Sequence, residues 1–202
     1  MKQFQTYVHD FKIYINAETE LEDQAQKLYA ILLNLEKSNI VNGFSFQVGW
    51  AVYYLCEKEL NTFQITTTDY AKNPFSHITE DLTLALWVQL EQTHFLRKIR
   101  VDGITVRFND KILLEENIFD QQRFYLQRTG NTKLGDSGWY IGPIEGEYTK
   151  LCAIYAYELL KIRPEIIQVL ALPCDYMVIF EKGKIVAVVN EKNEQILPAD
   201  FK

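Results

Sequence analysis

Within the opening third of the chain the hydrophobic period changes from that of a helix to that of a strand. Leu21, Ala25, Leu28, Leu32 and Leu35 recur at spacings of 4, 3, 4 and 3, which places them on one helical stripe. Thr19 and Glu22 form a capping-box pattern ahead of that stripe. From Gly43 onward the period is two. Phe44, Phe46, Val48, Trp50, Val52 and Tyr54 alternate with smaller or polar residues, so a single long strand is expected, with residues 63–68 as its antiparallel partner. A chain that carries both periods side by side, with no regular β-α-β alternation, is expected to be α+β: antiparallel sheets with packed helices, arranged as two small α+β units.

The same reading places further elements downstream. Thr79 can cap a second helix ending near Arg97, Lys98 and Arg100. Residues 104–108 and 112–114 flank Asn109-Asp110, a hairpin signal. The pattern lapses into acids and amides over residues 115–120, so a boundary is expected there, with domains over 1–118 and 119–202. In the second part a strand is expected over 123–128, a glycine-rich loop over 130–146, and a helix over 147–162. Pro164 would open a short helix after that one, and residues 176–180 and 185–189 would form a hairpin around Glu181-Lys182-Gly183-Lys184.

Composition narrows the functional classes. The chain has 202 residues, 48% hydrophobic and 24% charged, a globular balance that needs neither metal nor disulfide to fold. Its formal net charge of -6 disfavours phosphate backbones and anionic lipid as partners, so neither nucleic acid nor membrane is expected. Residues 97–133 run against this trend, with eight basic against five acidic residues, but those charges are scattered along the segment. Three widely spaced cysteines, Cys56, Cys152 and Cys174, form no CxxC pair, and no apolar leader or membrane-length apolar run is visible. A reduced, cytoplasmic setting is the expectation.

Chemistry-bearing residues are sparse. Gly135-Asp136-Ser137-Gly138 matches the sequence around a serine-protease nucleophile, but Trp139 follows where another glycine belongs. A nucleophilic serine also needs a base within hydrogen-bond reach, and the only histidines are His9, His77 and His94. The hydrolase reading would bring one of these to Ser137, or to the carboxylates of Asp136, Glu145 and Glu147. The architectural reading is simpler. Asp136 accepts turn N–H groups, Gly138 takes a positive φ, and Trp139 drops into the core. Such a rigid loop can double as a binding surface formed by Asp136, Ser137, Gly138, Trp139, Tyr140, Glu145 and Glu147. No histidine–carboxylate spacing suits a metal, and no cofactor motif occurs.

Asp136-Ser137-Gly138-Trp139, then Gly142 and Glu145-Gly146-Glu147-Tyr148, resembles the immunity-protein-thirty-three-like domain of bacteria, a domain of unknown function. Pro164-Glu165-Ile166-Ile167 and Leu170-Ala171-Leu172-Pro173 are similar to its continuation. The resemblance spans residues 124–198, with Tyr140-Ile141 standing where an arginine-containing pair is expected. It implies a non-catalytic protein that binds and neutralises a co-encoded toxin by direct contact.

Overall fold

The computed structural model describes residues 1–130, 132–145 and 150–197. The chain falls into two compact units, Met1–Leu90 and Glu91–Lys202. Both are built from a mixed sheet with short helices, so the fold class is α+β.

In the first unit, β1 (Lys2–Val8) and β2 (Phe11–Ala17) form a hairpin, and α1 (Glu22–Leu33) follows. The helix forms where the stripe required it, and Ala25, Leu28 and Leu32 are fully buried over β1 and β2. Each such leucine contributes roughly 1.5–3 kcal/mol. No side-chain cap is made at Thr19; residues Thr19–Leu21 instead form a 3₁₀ turn that runs into the helix.

The expected single strand over 44–54 is two strands, β3 (Ser45–Val48) and β4 (Ala51–Glu59). The chain reverses at Gly49-Trp50, with Gly49 at φ 54°, and Val48 pairs with Ala51. The reversal changes which residues share a face: Phe46 lies opposite Tyr53 rather than in line with Tyr54, and their rings stack at 5.6 Å. β5 (Thr62–Thr68) then pairs antiparallel with β4 and parallel with β2, and the two-residue β6 (Ile78–Thr79) adds to β5. The sheet order is β1-β2-β5-β4-β3. α2 (Thr83–Ile99) contains the division between the units, and its first N–H is capped by Asp81 rather than by Thr79.

The second unit holds β7 (Lys111–Glu115), β8 (Arg123–Arg128), β9 (Asp136–Pro143), β10 (Leu151–Tyr155), α3 (Leu159–Ile162), β11 (Met177–Glu181) and β12 (Lys184–Val189). Their order is β10-β7-β9-β8-β11-β12, with β7 and β9 parallel and the other pairs antiparallel. The expected boundary at 118/119 would put β7 in the first domain, whereas the strand is internal to this second sheet. Residues 104–106 have no regular structure, so the hairpin around Asn109-Asp110 does not form. Much of the expected glycine-rich loop is strand β9, and residues 151–155 of the expected helix are strand β10; its first residues, 147–149, lie outside the described residues.

Inner-face residues Phe124, Leu126, Trp139, Ile141, Val178 and Phe180 make the core with Leu159 and the 3₁₀ segment Pro164–Val169. Phe124 and Phe180 stack at 5.4 Å. Gln92 on α2 donates to the Ile167 carbonyl at 3.2 Å.

Burial pushes the phenols of Tyr29, Tyr53 and Tyr70 above the ordinary value of 10. At Tyr29 an Ile15 backbone contact, and at Tyr70 the neighbouring polar groups of Thr68, Thr67 and Trp50, pull partly the other way. A raised folded value stabilises the protein fully below pH 10, and that stability is lost as pH climbs from there. A spectrophotometric titration should therefore show these three phenols ionising only as the first unit unfolds. Twelve tyrosines titrating together near pH 10 in folded protein would contradict the assignment.

Candidate functional site

The segment singled out in the sequence is the start of β9, and its side chains are turned to the protein's own backbone. Asp136 Oδ1 accepts the Gly138 N–H at 2.9 Å. Ser137 Oγ donates to the Lys111 carbonyl at 2.7 Å and accepts the Trp139 N–H at 3.1 Å. Gly138 sits at φ 78°, and a Cβ there would fall 2.3 Å from the Thr129 carbonyl oxygen. No other residue fits. Trp139 is buried, and its indole N–H donates to the Leu170 carbonyl at 2.9 Å.

Beside Trp139 lies Arg128, only 5% exposed. Its Nε donates to the Ser137 carbonyl at 3.1 Å, Nη1 to the carbonyls of Ile104 at 2.9 Å and Leu170 at 3.4 Å and also to that of Leu172, and Nη2 to Thr105 at 3.4 Å. Its guanidinium lies 5.9 Å from the Trp139 ring. Burial holds its pKa below the ordinary value, with Cys174 and Asp110 acting in the opposite sense. In the sequence Arg128 reads as one more charge of a basic segment; in the fold it is withdrawn from the surface and joins β8 to three other stretches of chain.

Of the residues expected to form a binding surface, Ser137, Gly138 and Trp139 are buried, whereas Asp136 is exposed and Tyr140 half-buried. Ser137 and Trp139 are too buried to meet a partner, and Gly138 serves the backbone. Ser137 donates to and accepts from main chain, and among the described residues no histidine bonds it. His9 is exposed and bonds the Leu35 carbonyl at 3.0 Å, His77 is exposed and meets Ser76 Oγ at 3.0 Å, and His94 is exposed on α2. Tyr140 is half-buried and donates to Glu115 Oε1 at 2.9 Å. Glu145 is exposed beyond the end of β9, and Glu147 lies outside the described residues. Among the described residues no three His, Cys, Asp or Glu side chains cluster to hold a metal, and no helix is long and apolar enough to cross a membrane.

What the knot leaves outside is the opposite face of the sheet. Register places Ala153, Leu113, Tyr140 and Gln127 in one cross-strand row, and Gly142, Tyr125, Ile179 and Ala187 in the next. Leu113 is 43% and Leu151 56% exposed, while Tyr125, Tyr140, Met177 and Ile179 are half-buried. The Tyr125 and Tyr140 rings meet edge to face at 5.8 Å. This polar-edged aromatic and aliphatic face has the composition that protein interfaces favour. At the far end of the sheet Arg163 packs near Phe119 and Phe124 and donates to the Phe119 carbonyl. It borders a cleft of about 240 Å³ lined also by Asp120, Gln122 and Lys182. That volume is below the range of small-molecule pockets.

The Imm33-like domain model matches residues 91–191, half of the chain, and the chain belongs to that family. The match begins at the residue where the second compact unit begins. No curated protein and no solved structure matches the chain.

Two substitutions test the knot. Gly138→Ala should cost on the order of 2–3 kcal/mol through backbone strain and the clash with Thr129. Arg128→Ala, which strips a buried donor from several carbonyls, should cost about 3–5 kcal/mol. Chemical denaturation reads both; a loss below about 1 kcal/mol in either would show that the knot does not carry the sheet.

Proposed function

We propose that the chain is an immunity-type protein that neutralises a co-encoded bacterial toxin by direct, non-catalytic contact, and that the second unit meets the toxin through the outward face of its sheet. Membership of the Imm33-like family supports the immunity role. The observation that carries the choice of surface is the outward row with Tyr125 and Ile179, backed by a core that Arg128 and Trp139 hold in place. Tyrosine supplies large contact area for little loss of conformational entropy. A net charge of -6 would steer a basic toxin toward it. The partner is a protein; nucleic acid and membrane have no part in this reading, and the setting is the cytoplasm where the toxin would act.

The test is co-expression with the product of the adjacent gene. Wild-type protein should form a complex and rescue growth. Ile179→Lys should weaken binding more than about 10-fold, with denaturation close to wild type. Leu60→Lys, at an 86% exposed position of the first unit, should change nothing. Absence of any complex and of rescue by the wild-type chain would sink the proposal, and full rescue by Ile179→Lys would remove the surface from it.

A further inference from the structure

The ends of the two sheets are not treated alike. β1 carries Lys2, Gln3 and Gln5 on its exposed positions together with Tyr7, and β3 is only four residues long. β12 follows a register shift against β11, and beyond it Val189 pairs with Gln195 while the Ile196 N–H donates to the Val188 carbonyl at 2.8 Å. Charge, shortness, bulges and covering segments are the usual ways of blunting a strand edge. β10, Leu-Cys-Ala-Ile-Tyr, is also short at five residues, but it carries no charge and pairs with β7 without a register shift.

The bonding pattern fixes which of its groups point outward. The Lys150 carbonyl accepts from Glu116 and the Ala156 N–H donates to Asp110, so even-numbered residues face β7. The odd-numbered ones face away. The Tyr155 N–H is taken by Glu158 Oε2 at 2.7 Å, which closes that end of the edge. Leu151 and Ala153 remain, each with an outward N–H and an outward carbonyl that meet no backbone partner among the described residues. Leu151 is 56% exposed, and Ala153 is exposed beside Leu113.

We propose that β10 is a self-association edge, on which a second copy of this chain pairs antiparallel about a two-fold axis at Cys152. In that register Leu151 of each copy lies opposite Ala153 of the other, and all four outward backbone groups of each copy are satisfied. Within β10 itself no side chain is charged. On the outward face, Leu113, Ala153 and Leu151 of the opposite copy join into one apolar stripe. Cys152 meets its counterpart in a non-hydrogen-bonded pair, where Cα atoms lie about 4.5 Å apart, within the span a disulfide can close. A two-strand contact is small, so the dimer belongs to the weak, concentration-dependent class. This inference does not depend on the toxin-binding reading.

Sedimentation velocity on the full chain under reducing conditions, from about 5 to 500 µM, should show a dimer growing with concentration. Ala153→Pro removes one outward N–H and should stay monomeric throughout, since proline is tolerated where the N–H leaves the sheet. Leu151→Lys should do the same and serves if the proline variant fails to fold. Diamide oxidation should give a covalent dimer that Cys152→Ser abolishes while keeping the non-covalent one. A wild-type chain that stays monomeric, a dimer indifferent to both edge variants, or cross-linking that survives Cys152→Ser would overturn the proposal. So would a monomeric wild type whose toxin binding alone is lost in the edge variants, because the edge would then belong to the toxin.

Discussion

A guanidinium cannot shed its charge at any pH a cell reaches, so burying one obliges the chain to bring acceptors to it. Arg128 meets that demand with main-chain carbonyls: Ile104 and Thr105 before the sheet, Ser137 at the start of β9, and Leu170 and Leu172 after the 3₁₀ segment. Those carbonyls come from stretches far apart in sequence. Trp139 adds a second donor to Leu170, and its ring lies against the guanidinium. Removing the donor would leave several carbonyls buried and unpaired, which is costlier than the bonds themselves are favourable.

The consequence for function is a division of labour between the faces of one sheet. The motif that stands out in the sequence is consumed by the fold itself: Ser137 and Trp139 on the inward side tie β9 to Lys111 and Leu170, Asp136 accepts the Gly138 N–H, and Gly138 lets the chain pass close to Thr129. The outward side inherits a fixed register and carries tyrosines and aliphatics that nothing in the strands' own pairing requires. On the proposed function, rigidity on one side would make the other a preformed surface, with little ordering cost on binding.

How much of this the sequence disclosed depends on whether the signal was periodic. α1 and the β11–β12 hairpin were legible because one shows an unbroken stripe and the other two apolar runs around Lys182-Gly183. β9 was hidden: Gly138 and Gly142 interrupt the alternation, and seven of its eight residues other than Asp136 are buried or half-buried, so no polar face marks a strand. β10 passed for a helix because Leu151, Tyr155, Leu159 and Ile162 fall in helical register, although the first two lie in a strand and only the last two in α3. The turn at Gly49 was concealed by an alternation that continues across it. Of the candidate site, the turn chemistry of Asp136 and Gly138 and the burial of Trp139 could be read from residue type. The role of Arg128 could not, since its acceptors are carbonyls and carbonyls leave no mark in a sequence.

The central claim, that this fold works by offering the outward face of its second sheet to a protein toxin, is tested most directly by cross-saturation NMR on the complex with the adjacent gene's product. Methyl and aromatic signals of Ile179, Leu113 and Tyr125 should lose intensity on irradiation of the toxin, while inward-facing Leu126 and Val178 keep theirs. Losses confined to the cleft at Arg163 or to residues 1–90, with the outward face silent, would contradict it.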